Sequence, residues 1–252
     1  MDNEKEDIGS LILGYIKEDK TKEISETIEK KIKPFLLDKV SVRPEQIKQK
    51  ISVNKELNSI GKIIQGYSKA ELSNILDTQK SLYMYQKIYQ LSHAKNSYNE
   101  KFSCDEIEKN KSISLYFLAV MFIDFYESYK NYFTLLFKEN IFQKIAQGSL
   151  FSGYRNNFAH GDFICFPDKV MTNVVIKKDS FDKEIFENKS SDVIRNIEYF
   201  YDLNILLSTE IDLQLFRCRL EDKIDTTLWG NYFSVYSESW KNNYLLKNNI
   251  LY

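Results

Sequence analysis

One short stretch carries an arginine, an asparagine and a histidine close enough to act together: Tyr154-Arg155-Asn156-Asn157-Phe158-Ala159-His160-Gly161. His160 is one of only two histidines in the chain, and Arg155 stands five positions before it. These residue types suit cleavage of an RNA phosphodiester. A histidine with a pKa of about 6.5 can take the proton of a 2′-hydroxyl or give one to the leaving 5′-oxygen near neutral pH. An arginine offers a planar fork of donors to the phosphate and to the charge that builds in the transition state. Asn156 can orient the histidine or bind a phosphate oxygen. A single chain supplies one suitable histidine, whereas acid and base roles call for two. A two-fold homodimer with a composite site would supply both.

The competing reading of His160 is structural: a histidine near a helix end can bond its own last carbonyls. His93, the other histidine, has no arginine or carboxylate pattern around it and reads as structural.

The elements that must hold these groups are helical. Ser152 can cap a short helix that ends at Gly161, a residue suited to the left-handed position after a helix. On that helix Phe151, Tyr154 and Phe158 recur at core spacing, while Asn156 and His160 share a face. Arg155 lies about 140° from His160 by helical spacing, a gap its long side chain can span. Tyr154 also counts as a supporting residue of the site. Upstream, 112–138 is the most apolar helix, with Leu115, Leu118, Phe122, Phe125, Tyr129, Tyr132 and Leu136 on a wide buried face. Asp124, Glu127, Asn131, Thr134 and Lys138 form a polar stripe along it. That stripe is either the solvent face of the helix or the source of a carboxylate, Asp124 or Glu127, that faces His160.

The chain has 252 residues, with 3 prolines and 8 glycines, and neither occurs between Gly66 and Gly148. So long a stretch without breakers favours long helices. Residues 8–38 read as one or two amphipathic helices that Pro34 limits or bends. Pro44 suits the first turn of a helix carrying Ile47, Ile51, Leu57, Ile60 and Ile64. Gly66 separates it from a helix over 68–93. The mixed charges of 17–50 are a solvated face or, less simply, a basic strip for RNA. After Gly161, Pro167 and the alternation in 170–176 suggest a loop and a short β-hairpin. Helix resumes near Ser190 with Val193, Ile197, Phe200, Leu203 and Leu207 inward. A last helix, 228–248, carries Trp229, Tyr232, Tyr236 and Trp240 and is a packing helix or a subunit contact. The polar stretch 96–111 is the candidate boundary between an N-terminal helical region, 1–100, and a C-terminal helical domain, 101–252.

Composition excludes several classes. With 17 Tyr and 17 Phe the chain is too aromatic to be disordered. A net charge of −1 draws it to no polyanion or membrane as a whole. Three widely spaced cysteines form no CxxC pair, against a disulfide framework and a thiolate zinc site. No histidine–carboxylate cluster has metal-ligand spacing, so no metal or other cofactor is expected. The acidic start is unlike a signal peptide, and no apolar run nears the roughly 20 residues of a membrane span. A soluble cytoplasmic protein is the expectation.

Arg155-Asn156-x-x-x-His160 resembles the R-N-x(3)-H form of the Rx4–6H motif of the HEPN superfamily. The motif covers six residues, and the helical context that goes with it spans 110–217. The resemblance implies an all-α bundle, an RNA substrate, a homodimer and metal-independent ribonuclease activity, with Arg155 and His160 catalytic and Asn156 the usual polar residue after the arginine. Such proteins serve as toxins, abortive-infection factors or antiviral defence effectors, which implies an antitoxin or another defence-system protein as partner. Some members are inactive modules that bind a nucleotide, an RNA or a protein.

Overall fold

Apolar residues at steps of three and four along 115–137 produce one long helix whose buried face anchors everything around Arg155. In the computed structural model, residues 8–18, 20–41, 53–76, 107–137, 150–161, 163–173 and 185–250 are described. The structure is mostly helical with a small antiparallel sheet. His93, Pro44 and most of the expected helix over 68–93 lie outside the described residues. Among the described residues no helix is long and apolar enough to cross a membrane.

The chain forms two compact units. One unit contains described residues 8–41, 53–76 and 202–250; the other contains 107–137 and 150–201. The C-terminal helices therefore pack with the N-terminal ones. A polar stretch without glycine or proline gave no linker signal strong enough to locate a boundary, and pairing between distant segments leaves no local mark in the sequence.

The unit that holds the motif is built on α6 (Ile107–Leu136), α7 (Leu150–Ala159), three strands and the first part of α8 (Ser190–Leu220). From α6, Leu115, Leu118, Phe122, Phe125 and Tyr129 are buried, as expected; Tyr132 is half-buried. From α8, Val193, Ile197 and Phe200 are buried. Phe200 sits edge-on to Phe122 at 5.3 Å and to Phe125 at 5.8 Å, and stacks on Tyr126 at 5.5 Å. Burying each such ring contributes about 1.5–3 kcal/mol, and the edge-to-face geometry adds a smaller amount.

The expected hairpin is part of a three-stranded sheet. β1 (Phe163–Cys165), β2 (Lys169–Asn173) and β3 (Ile185–Lys189) lie in the order β1-β2-β3, all antiparallel. Val170 and Thr172 are buried, and Asn188 donates to the Thr172 hydroxyl across the β2–β3 pair. β1 rests against α6, where Tyr116 stacks on Phe163 at 5.4 Å.

The other unit begins with α1 (Ile8–Lys17) and α2 (Thr21–Thr27). A π-helical segment (Ile28–Ile32) then runs into α3 (Lys33–Ser41). Pro34 neither ends nor stops this run. Proline has no N–H for the ladder and its ring crowds the carbonyl four residues back. The wider π turn lies directly before it, with the Lys33 N–H donating to the Ile28 carbonyl. α4 (Val53–Gln65) buries Val53, Leu57, Ile60 and Ile64, and α5 (Lys69–Ile75) starts with a capping box between Ser68 and Glu71. The second part of α8 crosses this unit and faces charge as well as apolar surface. Lys33 pairs with buried Glu210 at 2.5 Å, and Arg217 donates to Glu29 at 2.5 Å. Gln214 donates to Glu210 and accepts from Gln65. α9 (Thr226–Ile250) buries Trp229, Tyr232 and Tyr236, with Phe216 of α8 5.0 Å from Trp229. These residues pack α9 against its own chain.

Candidate active site at the end of α7

α7 is a short helix held by one buried ring in its second half. Phe158 is buried, edge-on to Phe122 of α6 at 6.2 Å and 4.8 Å from Phe163 of β1. The side chains of Phe151 and Tyr154, the other two of the expected core row, lie outside the described residues. The helix starts at Leu150, so Ser152 sits inside its first turn rather than before it. It ends as the sequence suggests. The His160 N–H donates to the Asn156 carbonyl, and Gly161 takes φ +69°.

Nothing stands within 4 Å of where a Gly161 Cβ would be, so the left-handed backbone alone favours glycine there. Gly161→Ala is expected to lower the unfolding free energy by about 1 kcal/mol. Gly161→Asn is expected to lose less, because asparagine tolerates this conformation better. Urea denaturation of the three proteins measures the order.

Phe158 fixes which way the polar residues look. Arg155 is half-buried, whereas Asn156 and His160 are exposed. The Arg155 Nε donates to Glu127 Oε1 of α6 at 2.5 Å, and its Nη1 donates to the Asn156 Oδ1 at 3.0 Å. The Glu127 carboxylate also faces Lys130 Nζ at 3.6 Å, Lys130 lying three residues further along the same helix. Arg155 and Glu127 retain 30% and 31% of their side-chain exposure, so solvent screens the pair and its worth is on the order of 1 kcal/mol. Beside them, the Tyr126 phenol is pushed up from its ordinary pKa by burial first and Glu127 second, with Arg155 opposing.

Of the six residues singled out from the sequence, the structure joins three. Arg155, Asn156 and Glu127 are joined by hydrogen bonds. Glu127 serves the arginine and not the histidine, because the Arg155 side chain leaves α7 toward α6. Asp124 lies one turn before Glu127 on α6, where its carbonyl accepts from the Ser128 hydroxyl at 2.6 Å. Tyr154 precedes Arg155 on α7. His160 stands about one helical turn beyond Arg155, and among the described residues no hydrogen bond or ion pair reaches its ring.

Lys130 was missed from the sequence. It shares the polar face of α6 with Glu127 at three-residue spacing, the one signal that could have found it. Cys165, close to the motif in sequence, offers no nucleophile at neutral pH, since burial raises its thiol pKa to about 11. Among the described residues no group of three or more His, Cys, Asp or Glu side chains could hold a metal ion.

The arrangement suits an anion. Arginine and lysine flank one carboxylate, and an exposed histidine stands on the same short helix as the arginine. No family model, curated protein or solved structure matches the chain.

Proposed function

We propose that this protein is a metal-independent endoribonuclease of the HEPN type, a toxin or antiviral defence effector, acting as a homodimer in the cytoplasm. The observation that carries the reading is Arg155, held by Glu127 from a second helix, one turn before an exposed His160 on a helix pinned by Phe158. A guanidinium held through Nε and Nη1 keeps Nη2 for a phosphate.

In the reaction, one His160 takes the proton of the 2′-hydroxyl. The 2′-oxygen attacks phosphorus and the bond from phosphorus to the 5′-oxygen breaks. The second protomer's His160, protonated, gives its proton to that 5′-oxygen. Arg155 stabilises the charge on the non-bridging oxygens. The products are a 2′,3′-cyclic phosphate and a free 5′-hydroxyl.

The test uses purified full-length protein and RNA in EDTA. Cleavage with 2′,3′-cyclic phosphate and 5′-hydroxyl ends is the expected result. Intact RNA, or ends of another kind, sinks the reading.

The second reading, a non-catalytic module of the same type that binds a nucleotide, an RNA or a partner protein, gains weight from His160, whose ring is oriented by no described residue. It predicts RNA binding without cleavage, and binding that survives His160→Ala.

A further inference from the structure

We infer that Lys130 is a second phosphate-binding cation of this site, and that Glu127 is the positioning residue that holds Lys130 and Arg155 together. This deepens the ribonuclease reading and rests on it. Glu127 uses both oxygens, each for a different cation. Oε1 accepts from Arg155 Nε of α7 at 2.5 Å, and Oε2 faces Lys130 Nζ of its own helix at 3.6 Å.

An isolated lysine–glutamate pair at this spacing stabilises a helix by only a few tenths of a kcal/mol and calls for no further role. Here the carboxylate also bonds a cation from a separate helix. Two positive groups therefore sit on opposite edges of one negative group. Arg155, Lys130 and Glu127 together carry a net charge of +1, the amount a single phosphodiester neutralises. All three side chains keep contact with solvent, Lys130 at 41%, Glu127 at 31% and Arg155 at 30%. An RNA strand could therefore reach them without any of them leaving the core. Arg155 is engaged through Nε and Nη1, and among the described residues no hydrogen bond uses Nη2. That leaves Arg155 a donor for one phosphate oxygen and places Lys130 as a point charge for the same phosphate or the next one.

The test uses full-length protein and a short fluorescent RNA in which every 2′-oxygen is methylated, so that it binds but is not cut. Affinity is measured across a range of salt concentrations. Lys130→Ala is expected to weaken binding several-fold and to reduce the slope of log affinity against log salt by about one. Lys130→Arg is expected to restore both. An unchanged slope in Lys130→Ala overturns the role of Lys130.

Glu127→Gln removes a negative charge, so it is expected to bind the probe as tightly as wild type or more tightly. Its kcat on cleavable RNA is expected to fall while KM holds. The Arg155 Nε–H resonance is expected to move in the same variant, and that readout needs no activity. A resonance that stays in place, or an unchanged kcat in an active wild type, overturns the positioning role. A wild type that binds the probe yet cuts no RNA sinks the ribonuclease reading and leaves the cradle standing. A wild type that does not bind overturns the cradle.

Discussion

His160→Ala is expected to lower RNA cleavage by about 10²–10⁴-fold, the range a positioned acid–base group supplies. Its fold and thermal stability are expected to stay close to wild type. His160 is exposed, and its backbone N–H donates to the Asn156 carbonyl, while among the described residues no hydrogen bond reaches its ring. Alanine keeps that donor and suits a helix end, so the substitution removes chemistry without removing packing. Arg155→Ala is expected to be comparably damaging to cleavage. It also leaves Glu127 without its stronger partner, so a small loss of stability, below about 1 kcal/mol, should accompany it. Initial cleavage rates for the three proteins, with far-ultraviolet circular dichroism on each, form the check. If His160→Ala cuts RNA at the wild-type rate, this histidine is not the acid–base group.

The largest effect on stability is expected from Phe200→Ala, about 3–5 kcal/mol by urea denaturation. Phe200 is fully buried and touches three rings of α6, Phe122, Phe125 and Tyr126. Removing it leaves a void among aromatic rings that are poorly able to collapse into it, because each is anchored to the same helix. The damage should reach the site, since Tyr126 precedes Glu127 and Phe122 supports Phe158. Phe200→Leu keeps most of the volume and is expected to cost far less. A loss under about 1 kcal/mol for the alanine variant would show that this cluster is not what holds the unit together.

Much of this could be read from the sequence where the signal is local. The apolar face of α6 followed from spacing alone, and so did the inward row of α8 and the left-handed Gly161. The site was legible in part. Arg155, Asn156 and His160 stood out because their spacing is short, and the polar stripe of α6 offered Glu127 as a partner. That its partner would be Arg155 was not legible, since the choice depends on how α7 lies on α6. β3 was missed for the same reason. Ile185-Phe186-Glu187-Asn188-Lys189 is short and has little alternation of its own, and only its pairing with β2 makes it a strand. That α9 and the second part of α8 pack with segments far away in sequence was not legible either, because such pairing leaves no local mark.

The π-helical segment before Pro34 has a meaning best put in terms of phase. Such a segment holds about one residue more than the α-helical turn it replaces. Each α-helical residue turns the chain by about 100°. The extra residue therefore sets the azimuth of everything downstream in α3 relative to α2. Glu29 inside the segment and Lys33 just after it both meet α8, where Arg217 and Glu210 await them in opposite order of charge. Deleting a single residue from 28–32 would restore an unbroken α-helix and rotate Lys33 away from Glu210, leaving a buried carboxylate without its cation. The helix is keyed to its neighbour by count as much as by composition, so a one-residue deletion there should do more harm than most substitutions.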